Sequence, residues 1–134
     1  MGAQKSYKIG LERGQRPEWM RHRETYGGTI PYIGIHMVDL MRWVSGREFV
    51  ETAAFQSRVG FDELRDMENN TAVIYRLDNR GTANLRMDYL RPETAPTHGD
   101  DRLRVVGIKG VVEYQGGTLS LMTASSKPRN VTEW

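Results

Sequence analysis

GGTIPYIGIHMVDLMRWVSG, residues 27–46, has the clearest periodicity in this chain of 134 residues. Its apolar side chains fall within a stripe about 100° wide, the width of a core-facing helix side: Ile30, Ile33, Met37, Leu40, Met41 and Val44. Thr29 is a candidate N-cap, Pro31 is tolerated in a first turn, and Gly46 stands where a helix would stop. We therefore predict a helix from Ile30 to Val44.

The same helix carries a second stripe of side chains that can bear chemistry: Tyr32, His36, Asp39 and Trp43. These positions follow the spacing i, i+4, i+7 and i+11, so they share one side of the helix. One interpretation is a second contact, against another domain or a ligand. The other is packing, with His36 hydrogen-bonded to Asp39 and the rings covering a sheet edge. Aromatic stripes are more often packing, so the pattern alone favours the second interpretation.

As a site, this stripe is suited to acid–base assistance in the interconversion of an alcohol and a carbonyl. A histidine exchanges protons near neutral pH. Asp39 can orient the ring of His36 from one turn away, and the phenol of Tyr32 can donate to a substrate oxygen. Nucleophilic catalysis is disfavoured because the chain has no cysteine and no serine with an evident partner. A metal site is disfavoured because His22 and His98 are distant in sequence.

A loop after the most regular strand supplies two further candidates for substrate binding. Arg91 ends the run Tyr89-Leu90-Arg91, and His98 lies in the polar stretch that follows. Loops at strand ends often bear function, and either side chain can contact an anionic or hydroxylated substrate. Taken singly, each is more often part of a polar connector. The glycines at 107 and 110 do not form a phosphate loop, because no helix follows them.

After Gly46 the chain is predicted to be strands, because apolar and polar residues alternate between turn signals. The strand candidates are Phe49–Val59, Ala72–Leu77, Thr82–Tyr89, Arg102–Ile108, Val111–Gln115 and Thr118–Met122. Tyr7–Arg13 is a candidate edge strand, Gly14–Tyr26 a loop, and Phe61–Asn70 a short helix or loop. Short connections force antiparallel neighbours. We therefore predict an α+β domain, with an open, largely antiparallel sheet and the helix packed on one face.

The sheet face away from the helix is predicted to be half polar. Asn84, Arg86, Arg104 and Glu113 lie on it beside two apolar residues, Ile74 and Val106. Such a face is either solvated or a subunit interface. We expect a homodimer, or a larger homo-oligomer, through this face.

Length and composition predict a single soluble domain over residues 1–134. Nineteen basic residues are nearly matched by seventeen acidic ones, so a nucleic-acid partner is not expected. No stretch is apolar enough for a signal peptide or a membrane helix, so we expect no membrane partner and a cytoplasmic location.

Two stretches, GGTIPYIGIHMVDLMRWVSG and the later HGDDRLRVVGIKGVVEYQGG, resemble the C-terminal domain of the Gfo/Idh/MocA (glucose–fructose oxidoreductase/inositol dehydrogenase) family. The first matches the family's paired glycines and its G-x-H-x-x-D helix, and the second its sheet segment with a G-x-x-G hairpin. The resemblance covers about Tyr7 to Gly117. It implies a sheet domain like the C-terminal domain of dihydrodipicolinate reductase, working beside an N-terminal Rossmann domain that binds NAD or NADP.

The resemblance also implies roles for individual residues. The substrate would be a sugar, a polyol or a related alcohol or aldehyde, and His36 would lie at the active site as the proton donor and acceptor or as a substrate anchor. Asp39 matches the family's downstream aspartate, for which the resemblance implies a structural or orienting role. Tyr32 stands where many members have an aspartate, which makes it a candidate for substrate binding.

A Rossmann fingerprint, G-x-G-x-x-G after a strand, is absent from the chain. We therefore expect a C-terminal fragment that binds no cofactor and is inactive alone, and whose polar tail, Ser125–Trp134, begins an element that lies elsewhere. The alternative is a non-catalytic module for dimerisation or ligand binding, descended from the family. The substitution at Tyr32 favours that alternative.

Overall fold

A computed structural model describes residues 1–10 and 16–132, which form one eight-stranded sheet with a helix packed on one face. The strands are β1 Gly2–Lys8, β2 Phe49–Ser57, β3 Asn70–Leu77, β4 Thr82–Arg91, β5 Gly99–Gly107, β6 Gly110–Gln115, β7 Thr118–Thr123 and β8 Ser126–Asn130. Their order across the sheet is β2-β3-β4-β1-β5-β6-β7-β8. Every neighbouring pair is antiparallel except β1 and β4. The predicted α+β class is confirmed.

The helical segments lie on both sides of the paired glycines. They are a 3-10 turn at Glu18–Arg21, α1 at Arg23–Tyr26, a π-helical turn at Ile30–Gly34, α2 at Ile35–Ser45 and a 3-10 turn at Asp62–Leu64. Gly46 ends α2 in the left-handed conformation, with φ 59°, and its N–H donates to the carbonyl of Arg42. The predicted stop is therefore confirmed, since that conformation favours glycine.

Two details of the predicted helix are wrong. Thr29 does not cap it, because its backbone is already helical and its hydroxyl instead donates to the carbonyl of Glu68, at 2.6 Å. Val44 is 43% exposed rather than buried, because it lies beyond the part of α2 that faces the sheet.

The core lies between α2 and the strands β3, β4 and β1. Met37 and Met41, one turn apart, are buried against Val73, Leu85 and Met87 of the sheet. Residues of β3 and of most of β4 alternate strictly between buried and exposed. This alternation is what a sheet covered on one face requires.

Strand β1 corrects the prediction of an edge strand at Tyr7–Arg13. The strand is Gly2–Lys8, and it lies in the middle of the sheet between β4 and β5. Residues 11–15, which include part of that predicted strand and the start of the predicted loop, lie outside the described residues. Although β1 is a central strand, it tolerates polar side chains. One of its faces is open, and Lys5 on the other face is paired with Asp101.

Within the polar tail, Ser126–Asn130 forms the edge strand β8 against β7, a strand that the sequence did not predict. Its side chains are all exposed, so no apolar alternation announces it. Trp134 lies outside the described residues. In the described part of the chain, every helix is too short or too polar to cross a membrane.

Candidate functional site

The second stripe of the helix points away from the core, as its spacing predicts. Since Met37 and Met41 face the sheet, the side chains of His36, Asp39 and Trp43 emerge on a different side of α2 and are exposed. Trp43 is 80% exposed, which is unusual for so large an apolar side chain. In the described chain this face of α2 is therefore not a packing surface.

His36, Asp39 and Trp43 line a pocket of about 270 Å³ between α2 and the sheet. The opposite wall is formed by Lys5 of β1 and Asp101 of β5. These two strand residues face each other directly in the antiparallel pairing of β1 with β5. The pocket thus combines an imidazole, two carboxylates and an ammonium beside an exposed indole.

The Lys5–Asp101 ion pair is the most buried charged element of this pocket. Nζ of Lys5 lies 2.7 Å from Oδ2 of Asp101 and 4.9 Å from the centre of the Tyr7 ring. The side chain of Lys5 is 6% exposed and that of Asp101 is 37% exposed. Burial lowers the pKa of Lys5, but hydrogen bonds and charge interactions, chiefly with Asp101, outweigh burial and hold the pKa above its ordinary value. Lys5 is therefore a permanent ammonium group at neutral pH.

Tyr32 lies outside this pocket, at the beginning of the helical segment. Its ring packs 5.9 Å from Trp19 and 5.3 Å from Tyr26, centre to centre. Tyr26 donates from its hydroxyl to Thr29, which donates in turn to the carbonyl of Glu68. Tyr32 thus belongs to an aromatic cluster that holds the start of the helix.

The glycine of the G-x-H pattern has a packing role. A Cβ at Gly34 would lie 2.7 Å from Cε of Met87, which is fully buried under the helix. The absence of a side chain at Gly34 therefore lets the helix pass close over β4 and sets the height of His36 above the sheet.

Arg91 and His98 lie around the far end of β1. Arg91 donates to the carbonyl and hydroxyl of Thr97, and its Nη1 lies 3.6 Å from Asp100. These contacts brace the loop between β4 and β5. The ring of His98 packs edge-on to Tyr7, with centres 5.3 Å apart.

Arg91 and Tyr7 line a second pocket, of about 570 Å³, to which Asp101 also contributes. Asp101 therefore borders both pockets. The structure brings His36 and Asp39 together, places Arg91 in the adjoining pocket with His98 beside it, and leaves Tyr32 apart.

Chemically, the pocket can exchange a proton at His36 and bind hydroxyl groups through carboxylate acceptors and an ammonium donor. No group of three or more potential metal ligands occurs within residues 1–10 and 16–132.

Sequence reasoning missed Lys5 and Asp101 as site residues. Lys5 lay before the predicted start of the strand, so its inward position was not visible. The alternation of Ala3, Lys5 and Tyr7 was the available signal, because it places Lys5 on the same face as buried Ala3. Asp101 was visible only as part of a polar loop, since pairing with Lys5 depends on the strand register.

Solved structures of oxidoreductases share this fold. An oxidoreductase of Thermotoga maritima is 42% identical, with a TM-score of 0.90 over 97% of this chain and 38% of that protein. A levoglucosan dehydrogenase, solved with NADH and L-sorbose, is 15% identical with a TM-score of 0.73 over 98% of this chain and 39% of its own. An inositol dehydrogenase homologue of Azotobacter vinelandii, solved with NAD+, is 13% identical with a TM-score of 0.70 over 97% and 36%. The chain thus spans well under half of each protein.

No curated protein matches the chain. The GFO/IDH/MocA C-terminal domain matches residues 4–113, which include Lys5, the helix that carries His36, and β5. Since this match covers most of the sequence, the chain belongs to the GFO/IDH/MocA oxidoreductase family, of which it forms a C-terminal domain.

Proposed function

We propose that this chain is the substrate-side domain of an NAD(P)-dependent oxidoreductase that interconverts an alcohol and a carbonyl on a sugar or polyol. The observation that carries the proposal is the pocket in which His36 and Asp39 lie opposite Lys5 and Asp101, on a helix face that the domain leaves exposed. Family membership supports the reaction class. An inositol dehydrogenase homologue and a levoglucosan dehydrogenase among the structural neighbours support the substrate class.

In this proposal His36 handles the proton. Oxidation of an alcohol removes a proton from the hydroxyl and a hydride from the carbon, and an imidazole accepts the proton at neutral pH. Asp39 lies one turn along the same face and orients the substrate or the imidazole. Arg91 lines the adjoining pocket, where His98 packs against Tyr7, and both bind the remainder of the substrate. Tyr32 contributes indirectly, because its ring packs with Trp19 and Tyr26 and so holds the start of the helix in place.

The described residues do not fit a dinucleotide. A pyrophosphate site needs a glycine-rich turn that opens onto a helix N-terminus. Gly27 and Gly28 precede a helical segment, but they follow α1 and not a strand, so they do not form the strand-to-helix turn of a dinucleotide site. We therefore propose that NAD or NADP is held by a Rossmann domain outside these residues, and that residues 1–134 alone are inactive.

We also propose that the protein forms a homodimer through the open face of the sheet. Phe55 is 82% exposed, Ile74 62% and Val106 53%, and the strand pairings place all three on the face opposite α2. An exposed apolar surface rimmed by charged residues is typical of a protein–protein contact.

The test of the proposed reaction is the substitution His36→Ala in the complete gene product that contains residues 1–134. We expect kcat for sugar or polyol oxidation to fall by about 100-fold or more, because a positioned acid–base group contributes roughly 10²–10⁴-fold. NAD+ or NADP+ affinity should stay unchanged, since His36 lies on the substrate side. Activity is measured as NAD(P)+ reduction over a panel of sugars and polyols, and cofactor affinity by equilibrium titration.

His22→Ala is the matched control, because His22 is another partly exposed histidine that lies outside the pocket. This variant should keep full activity. An enzyme indifferent to His36→Ala would show that the helix face has no part in the chemistry. Absence of NAD(P)+ reduction with every sugar and polyol would contradict the proposed reaction itself and would favour a non-catalytic ligand-binding module.

A further inference from the structure

The wall of the pocket opposite the helix contains a charged pair, Lys5 and Asp101, that the packing of the domain does not require. Lys5 is 5% exposed, although lysine is among the residues least often buried. A buried ion pair is often no more stable than apolar residues of the same volume. Apolar residues such as Met and Leu would therefore stabilise the fold about as well as this pair does.

The hydrogen bonds of the pair are incomplete. Lys5 has three N–H donors, and Nζ makes one side-chain hydrogen bond, to Oδ2 of Asp101, while the ring of Tyr7 lies beside it. Oδ1 of Asp101 is shielded from solvent and accepts no hydrogen bond. An unsatisfied buried acceptor is costly, so a donor from outside the domain would be bound favourably at this point.

This ion pair, whose hydrogen bonds are incomplete, lies in the candidate site. Lys5 and Asp101 line the same pocket of about 270 Å³ as His36 and Asp39. Lys5 belongs to a central strand and Asp101 to its neighbour, so a rigid part of the sheet holds both. A donor and an acceptor side by side match a hydroxyl group, which both accepts and donates a hydrogen bond.

The balance of charge narrows the ligand further. Two carboxylates, Asp39 and Asp101, face one ammonium, that of Lys5, so the walls carry an excess negative charge before His36 is counted. A carboxylate or phosphate on the ligand would meet repulsion here, whereas a neutral polyhydroxyl compound would not.

We propose that Lys5 and Asp101 form a substrate-binding pair that hydrogen-bonds a hydroxyl of a neutral sugar or polyol. The pair discriminates against the corresponding sugar acid, which carries a carboxylate. Lys5 donates to the hydroxyl oxygen, and Asp101 accepts its proton through a slight turn of the carboxylate. The ion pair fixes both groups before the substrate arrives, which lowers the entropy cost of binding. This inference rests on the proposed function, since it assigns specificity to the same pocket.

The test compares D-glucose with D-glucuronate, which differ in the charge at one ring substituent, using the complete gene product that contains residues 1–134. Equilibrium titration measures binding of each sugar, and NAD(P)+ reduction measures turnover. We expect the wild type to prefer glucose. Asp101→Asn should weaken glucose binding and raise KM by about 10-fold, because it removes a charged acceptor. Asp101→Asn should also lower the ratio of the affinity for glucose to the affinity for glucuronate. Its effect on kcat should be much smaller.

A second variant distinguishes a loss of sugar binding from a loss of folding. Lys5→Met with Asp101→Leu replaces the pair by apolar side chains of similar size, which typically preserves stability. We expect this variant to fold and to lose most of its affinity for glucose. Glu48→Gln is the matched control, since it breaks the Arg42–Glu48 ion pair, 2.7 Å long, at the far end of α2. It should change neither KM nor selectivity.

The outcomes separate the two proposals. Wild-type preference for glucuronate, or unchanged binding and selectivity in both pocket variants, would overturn the assignment of Lys5 and Asp101 while leaving the His36 reaction intact. Loss of glucose binding in the variants without any NAD(P)+ reduction by the wild type would support the pair and contradict the proposed reaction.

Discussion

The two halves of the sheet have similar alternating sequences, yet only one half contains a core. In β3 and β4, inward residues such as Val73 and Leu85 are 2% and 1% exposed under α2. In β5, β6 and β7 the residues that share the helix side are equally apolar but none is fully buried: Leu103, Val105, Val112, Tyr114, Leu119 and Leu121. The difference is the helix, which packs on β1, β3 and β4 and does not extend over β5–β7.

This difference shows that alternation predicts which face of a strand is apolar, whereas burial depends on a covering layer. The covered half holds α2, the helix that carries His36, against the sheet. The uncovered half offers an apolar surface next to the pocket, which Trp43 of the helix also lines. The pocket itself lies at the seam, where Lys5 of the covered half meets Asp101 of the uncovered half.

The largest expected effect compares two leucines on the helix side of the sheet. Leu85→Ala in β4 should lower the free energy of unfolding by about 3 kcal/mol, because it leaves a cavity under α2. Leu121→Ala in β7 should lower it by about 1 kcal/mol, because that side chain is only partly removed from water. Urea denaturation followed by circular dichroism measures both. Equal losses would mean that β7 is covered in solution.

How far the sequence predicts the fold follows from the same distinction. The six strands from Phe49 to Met122 and the helix with its stop at Gly46 were predictable, because alternation, periodicity and glycine chemistry are local signals. Strand β1 was misplaced because the buried Lys5 interrupts its inward apolar positions, and strand β8 was missed because all its side chains are exposed. The parallel pairing of β1 with β4 is non-local, and no short turn indicates it.

The candidate site was predictable on the helix and not on the sheet. His36 and Asp39 share a face by helical geometry, which the spacing fixes. The same spacing grouped Tyr32 with them, but the π-helical turn at Ile30–Gly34 and the ring of Trp19 place Tyr32 in another cluster. Lys5 and Asp101 are 96 residues apart, and only the strand register brings them together.

A smaller effect is expected for association through the other face of the sheet. Ile74→Lys should raise the Kd of the proposed homodimer by at least about 10-fold, or about 1.4 kcal/mol, because it puts a charge in an apolar contact. Ile108→Lys is the control, since Ile108 is fully exposed in the turn between β5 and β6. Light scattering across the micromolar range measures the mass. A wild type that stays monomeric over that range would contradict the dimer and leave the comparison of the two halves unchanged.

The smallest effect concerns the connection between the halves, where Asp100 is the second residue of β5. The hydrogen bond from Arg102, 2.6 Å long, and then the charges of Arg102 and Arg91 outweigh burial and hold the pKa of Asp100 below its ordinary value. A depressed carboxyl pKa stabilises the fold above the pKa of the unfolded chain, and this contribution is lost as the pH falls through the folded pKa. Asp100 should therefore contribute no more than about 1 kcal/mol at neutral pH, and nothing in strong acid.

Asp100→Asn isolates this contribution, because the amide keeps the shape of the side chain and removes its titration. Between pH 6 and pH 3, roughly the range in which carboxylates protonate, the wild type should lose more stability than the variant, and the two curves should converge at the acid end. Urea denaturation at each pH measures the difference. Parallel curves would show that Asp100 does not stabilise the β4–β5 connection through its charge. The link between the covered and uncovered halves would then depend on the Arg91–Thr97 hydrogen bonds, which do not titrate in this range.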